Sequence, residues 1–213
     1  MMRRISWMPL VLLAFQLHAG PVIVDEHSVE HIHFKRINPN TVSFEHGMVR
    51  FSVDNSASFL LLAFDDIKNV NAVAFQWKAA GTLKKNSEQH ERSRKGDDAW
   101  LRVGLILEGE PAHVPEALLP RWMRQVRKTL KHPSNRMIYL LPGSLHAPGT
   151  SWKSPFSDDV DMVSVSSSET TNGWKQVEHE FPEAQRTVGL WIMADGDNTN
   201  SVFSSQLKNL IIN

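Results

Sequence analysis

The chain has 213 residues, with 23 basic and 23 acidic side chains, no cysteine, seven tryptophans and one tyrosine. Apolar residues make up 41%, enough for a core, which excludes a disordered, collagen-like or coiled-coil chain. The absent cysteines exclude a disulfide framework, a thiolate zinc site and a cysteine nucleophile, and zero net charge argues against a general nucleic-acid binder.

The first element is a targeting segment. Met1-Met2-Arg3-Arg4 is a positive start, Ile5 to Leu17 is largely apolar, and Ala19 offers a small residue for cleavage. This order predicts a signal peptide over residues 1–19, a single domain over 20–213 and a periplasmic or secreted protein. The apolar stretch is shorter than the ~20 residues a membrane span needs, so no transmembrane segment is expected after cleavage. Losing Arg3 and Arg4 leaves 21 basic against 23 acidic residues, a balance of −2.

A period of two dominates the rest of the chain. Met48 to Asp54 alternates after the Gly47 turn, and Ser58 to Phe64 is a short apolar run. Val70 to Lys78 places Val73, Phe75 and Trp77 on one side, and Trp100 to Glu108 does the same with Leu101, Val103, Leu105 and Leu107. Arg136–Leu141, Val160–Ser166, Gly173–Phe181, Thr187–Ala194 and Val202–Ile212 continue the pattern. Pro142-Gly143, Pro148-Gly149, Thr171-Asn172-Gly173 and Asp195-Gly196-Asp197-Asn198 read as turns. One helix interrupts. Pro120 suits its first turn, Trp122, Met123, Val126 and Leu130 form one stripe, and Pro133 ends it. These elements predict an all-β, antiparallel β-sandwich of jelly-roll type with one inserted amphipathic helix.

Charge is polarised along the chain. Glu116 to Arg136 holds six basic residues and one acid, whereas Ser154 to Asn200 holds two basic residues and nine acids. A basic side and an acidic side, or pairing within the fold, both satisfy this pattern.

Two segments carry a resemblance. One is Lys95-Gly96-Asp97-Asp98-Ala99 with Arg102-Val103; the other is Val188 to Met193 followed by Asp195-Gly196-Asp197-Asn198-Thr199. Together with the strand ending at Trp77-Lys78, with Ile138-Tyr139 and with Gly173-Trp174, they resemble an uncharacterised exported bacterial family with Gly-Asp-Asp…Arg-Val and Asp-x-Asp-Asn-Thr elements. The resemblance runs from about Ser56 to Ile212, and departs from the family's pattern at Leu140-Leu141, where an aromatic is more usual. Its general look is similar to galactose-binding-like and carbohydrate-binding jelly rolls. It brings no activity with it.

Asp195, Asp197 and Asn198 put three oxygen-bearing side chains around a Gly turn, a pattern that suits calcium as well as it suits a plain turn. Asp97 and Asp98 are the natural complement if both loops lie at one end of the sandwich. Arg102 lies on the face opposite Leu101, Val103 and Leu105. If that face is buried, Arg102 needs a carboxylate, from Asp98 or from the Asp195 loop, because an unpaired buried charge is very unfavourable. The same group could instead form a polar platform for a ligand. Trp152 sits among turn residues and reads as an exposed indole for stacking on a sugar. His31 and His33 share a strand face near His27 without an evident third zinc ligand, and Ser144 with His146 lacks the spacing of a catalytic triad. The reading is an exported non-catalytic binding module for carbohydrate or a cell-envelope polymer, with Trp152, Asp97, Asp98 and Arg102 at the ligand and calcium at Asp195, Asp197 and Asn198. A carbohydrate-active enzyme of hydrolase or lyase type is one alternative. A periplasmic assembly factor that presents the basic helix to an acidic partner is the other.

Overall fold

A computed structural model describes residues 20–167 and 173–213. The expected leader over residues 1–19 and most of the Thr171-Asn172-Gly173 turn lie outside the described residues. The strands are β1 (Gly20–Pro21), β2 (Glu30–His33), β3 (Thr41–Glu45), β4 (Met48–Asp54), β5 (Ala57–Thr82) and β6 (Ala99–Glu108). They continue with β7 (Ser134–Ser144), β8 (Ser151–Ser154), β9 (Ser157–Ser167), β10 (Lys175–Asp195) and β11 (Val202–Ile212). A short helix, α1 (Glu88–Glu91), follows β5, and α2 (Arg121–Thr129) lies between β6 and β7.

The fold is mostly β and sandwich-like. Eleven strands form one mixed sheet in the order β3-β4-β11-β5-β10-β6-β7-β9-β8, with β1 on β11 and β2 on β5. Two very long strands let one sheet make two layers. The second half of β5 pairs with β11, and its first half pairs with β2. β10 follows β5 throughout, with register breaks between Glu180 and Gln185 and between Thr187 and Gly189. The sequence divides each of these strands in two because Asp65-Asp66 and Pro182 interrupt the alternation. The structure keeps the strands continuous and puts irregularities at those places, as bulges allow.

Side chains from both layers meet in one core that includes Phe51, Phe75, Trp77, Leu101, Val103 and Leu105. The β6–β10 layer carries a second core on its other face, including Phe59, Ile106, Tyr139, Trp191 and Met193. The stripe of α2 covers that second face, with Val126 buried and Trp122 and Leu130 packed beside it. β6 is therefore buried on both faces along nearly its whole length. That burial is what makes Arg102 a buried charge.

Two sequence expectations change. The sheet is not wholly antiparallel, because β7 and β9 run parallel. β8 lands one strand beyond, and β9 returns antiparallel to it into the gap beside β7. Pro142-Gly143 is not a turn but lies inside β7. Gly143 has φ +69°, and a Cβ there would sit 2.8 Å from Trp77 and 2.9 Å from Trp100. Only glycine combines that backbone with so close an aromatic approach.

Candidate functional site

Asp195 is paired with Ala99 in the antiparallel β10–β6 ladder, so the end of β10 meets the start of β6. This register brings the two aspartate motifs to one end of the sheet. Arg102 is 4% exposed, and its guanidinium joins them. Its Nη1 donates to Asp195 Oδ2 at 2.6 Å, and its Nη2 donates to Asp97 Oδ2 at 3.0 Å and to the Asp97 carbonyl. The expected buried ion pair is present, with Asp195 and Asp97 as partners rather than Asp98. Asp98 precedes the first residue of β6, so strand parity does not govern where it points.

Asp98 does something else. Its Oδ1 accepts from the backbone and side-chain N–H groups of Asn198, both at 3.1 Å. Its Oδ2 accepts from Thr199 N at 2.8 Å and Thr199 Oγ1 at 2.6 Å. Four donors occupy the carboxylate, which ties the loop after β10 to the start of β6. Asn198 therefore spends its backbone and side-chain N–H groups on Asp98.

Carboxylates outnumber cations here. Asp98, Asp195 and Asp197 each place an oxygen within 4.8 Å of the others. Burial holds the Asp195 carboxyl well above the usual carboxylate range, and neighbouring Asp197 and Asp98 push it further against the opposing pull of Arg102. Burial likewise raises Asp97. Burial works against the Arg102 charge, but Asp97 and Asp195 more than offset it, so Arg102 stays ionised. Asp195 Oδ1, Asp97 Oδ1 and Arg102 Nε are buried without a hydrogen-bond partner among the described residues. Arg102 is the cation bonded to Asp195, and Asp197 adds a further carboxylate beside it.

A second buried polar group lies beside this one. Lys85 forms an ion pair with Glu91 of α1, and Glu91 Oε2 accepts from Ser144 Oγ at 3.1 Å and Leu145 N at 2.9 Å. Burial lowers the Lys85 ammonium against the pull of Glu91. Ser144 thus serves Glu91, and His146 contacts Glu88 at 3.2 Å, so no triad forms. His31 Nε2 lies 2.8 Å from Ser58 Oγ, which places it in the β2 edge strand's packing.

Trp152 corrects the sequence expectation. It lies in β8 opposite Met162, is only 9% exposed, and belongs to the second core. Its ring stands 4.5 Å from that of His146, and the Arg92 guanidinium lies 5.4 Å from its centroid. The surrounding turn residues hide a four-residue strand whose parity turns the indole inward.

An open, largely apolar concavity lies elsewhere. A groove of about 630 Å³ runs along α2, with Trp122, Val126, Ile106, Met137 and Trp191 among its lining residues. Trp191 stacks on Phe59 at 3.3 Å and meets Trp122 edge-on at 5.9 Å. Its Nε1 is buried without a partner among the described residues. Arg127, Lys131, His132 and Arg136 also line the groove, and Asp159 is its one carboxylate among the described residues. The sequence shows Trp122 and Trp191 only as helix stripe and strand. Nothing in their spacing says that they share a groove.

A search of the curated proteins finds no match. The model of one family, described as protein of unknown function (DUF3047), matches residues 29–211, which contain the ionic cluster, α2 and the groove. The chain belongs to that DUF3047 family.

Proposed function

We propose that the protein is an exported, non-catalytic binding module for carbohydrate or a cell-envelope polymer, and that its ligand enters the groove along α2. The observation that carries this reading is one open groove in which the half-buried Trp122 indole, backed by Trp191, lies near basic residues. The Trp122 indole can pack on the apolar face of a sugar ring while Trp191, stacked on Phe59, supports it from the core. Arg127 suits acidic or phosphorylated substituents, Lys131 and Arg136 being paired with Asp65 and Asp161. The leader pattern supports export. A glycosidase needs two carboxyls flanking the bond it cleaves. Among the described residues the groove offers Asp159 alone, while Asp97, Asp98 and Asp195 are buried in bonds to Arg102 and the loop after β10. The test is a glycan array followed by titration of the best ligand. Trp122→Ala abolishes binding and Asp97→Asn spares it on this reading. Polysaccharide turnover that disappears in Asp→Asn variants would overturn it.

Calcium is a second reading for the aspartate cluster, favoured by the buried, unpartnered Asp195 Oδ1 beside Asp197. It would offset the excess of carboxylates there, with Asp195 and Asp197 as ligands. Asp98 already accepts four hydrogen bonds from Asn198 and Thr199, so it holds the loop in place, while Asn198 gives Asp98 its N–H groups and not the amide oxygen that calcium would use.

A further inference from the structure

The outer face of α2 has no function in the groove. Arg121, Arg124 and Lys128 are exposed and have no partner among the described residues. At 100° per residue they fall within one narrow stripe, on the opposite side of the helix from Trp122, Val126 and Leu130. No acidic residue occurs from Ala117 to Arg136, and the carboxylate that reaches this helix, Glu30, is bonded to Gln125 and Thr129 and not to these three cations. The segment leading into the helix exposes aliphatic surface, with Leu118 75% and Val114 39% exposed. These are two of the five large hydrophobic residues left exposed among the described residues.

We propose that this face docks the protein on an anionic lipid surface, with Arg121, Arg124 and Lys128 against the headgroups and Leu118 inserted among them. The charge is complementary to such a surface, and each Lys or Arg near it adds to binding. The exposed leucine is what selects a bilayer over a soluble polyanion or an acidic protein. A polyanion gains from the cations alone, whereas an interfacial segment combines cations with a buried aliphatic side chain. Neither Leu118 nor the three cations line the groove, so the two binding events are separable.

Sedimentation with vesicles tests this. The purified protein binds vesicles of equal phosphatidylglycerol and phosphatidylcholine at low salt and leaves pure phosphatidylcholine vesicles in the supernatant. The triple variant Arg121→Gln/Arg124→Gln/Lys128→Gln binds about a hundredfold more weakly, from the loss of three near-surface charges. Leu118→Ser alone weakens binding several-fold. All four side chains are on the surface, so the variants keep their melting temperature. Equal binding to both vesicle types, or unchanged binding by the triple variant, overturns the proposal. Charge-dependent binding that ignores Leu118→Ser overturns it too, because no aliphatic side chain is then inserted.

Discussion

Arg102 and Asp195 are 93 residues apart in sequence, yet Nη1 of the one donates to Oδ2 of the other at 2.6 Å in the interior. The contact joins β6 to β10 and, through Asp97, anchors the chain that enters β6. Arg102→Met removes the cation and leaves two carboxylates buried without it. We expect a loss of about 3–5 kcal/mol in urea unfolding, because an unpaired buried charge is far worse than no charge. Asp195→Asn is expected to cost less, since Arg102 keeps Asp97.

Gly143→Ala tests the close approach inside β7. The added methyl group meets Trp77 at 2.8 Å in a backbone at φ +69°. We expect a destabilisation of about 2 kcal/mol, from overpacking and from the left-handed conformation together. A neutral result in thermal unfolding would mean that the two indoles move aside freely.

The groove reading separates two tryptophans. Trp122 is partly buried at the edge of the second core, so Trp122→Ala is expected to lose ligand binding at a modest cost in stability. Trp191 is 4% exposed and stacked on Phe59, so Trp191→Ala is expected to cost about 3–5 kcal/mol as well. Calorimetric titration with denaturant curves on both variants checks this difference.

Two histidines contribute to the acid response of the fold. Burial, with His33 adding to it, lowers the His31 imidazole from 6.5 to about 4, and burial lowers His179 in the same direction. Below pH 6.5 the unfolded chain takes up protons that the folded chain does not hold, so stability present above 6.5 is lost as pH falls towards 4. The raised Asp195 and Asp97 carboxyls act in the opposite sense, so the histidine contribution is read as a difference. We expect His31→Gln to lose less melting temperature than the parent chain between about pH 7 and about pH 5. An equal slope in the variant removes His31 as a cause.

Calcium is expected to raise the melting temperature relative to chelator, because a ligand that binds only the folded state stabilises it. Asp197→Asn removes the rise. No shift at millimolar calcium overturns the calcium reading of this cluster.

Local pattern decided a good part of this molecule. Alternation located β4 and β11 at the residues where they occur, and the two prolines with an apolar stripe located α2, because side-chain period follows directly from backbone geometry. The same parity put Arg102 opposite Leu101 and Val103, and so required a carboxylate partner if that face was buried. Only the tertiary structure decided that the face is buried, since burial depends on α2 folding over a sheet that its own residues do not announce. It also decided which aspartate answers. The β10–β6 register delivers Asp195 to Arg102, and Asp98, one residue outside the strand, is free to turn to Asn198 and Thr199. Trp152 shows the same limit. Its neighbours are turn formers, and only the pairing of β8 with β9 turns the indole into the core.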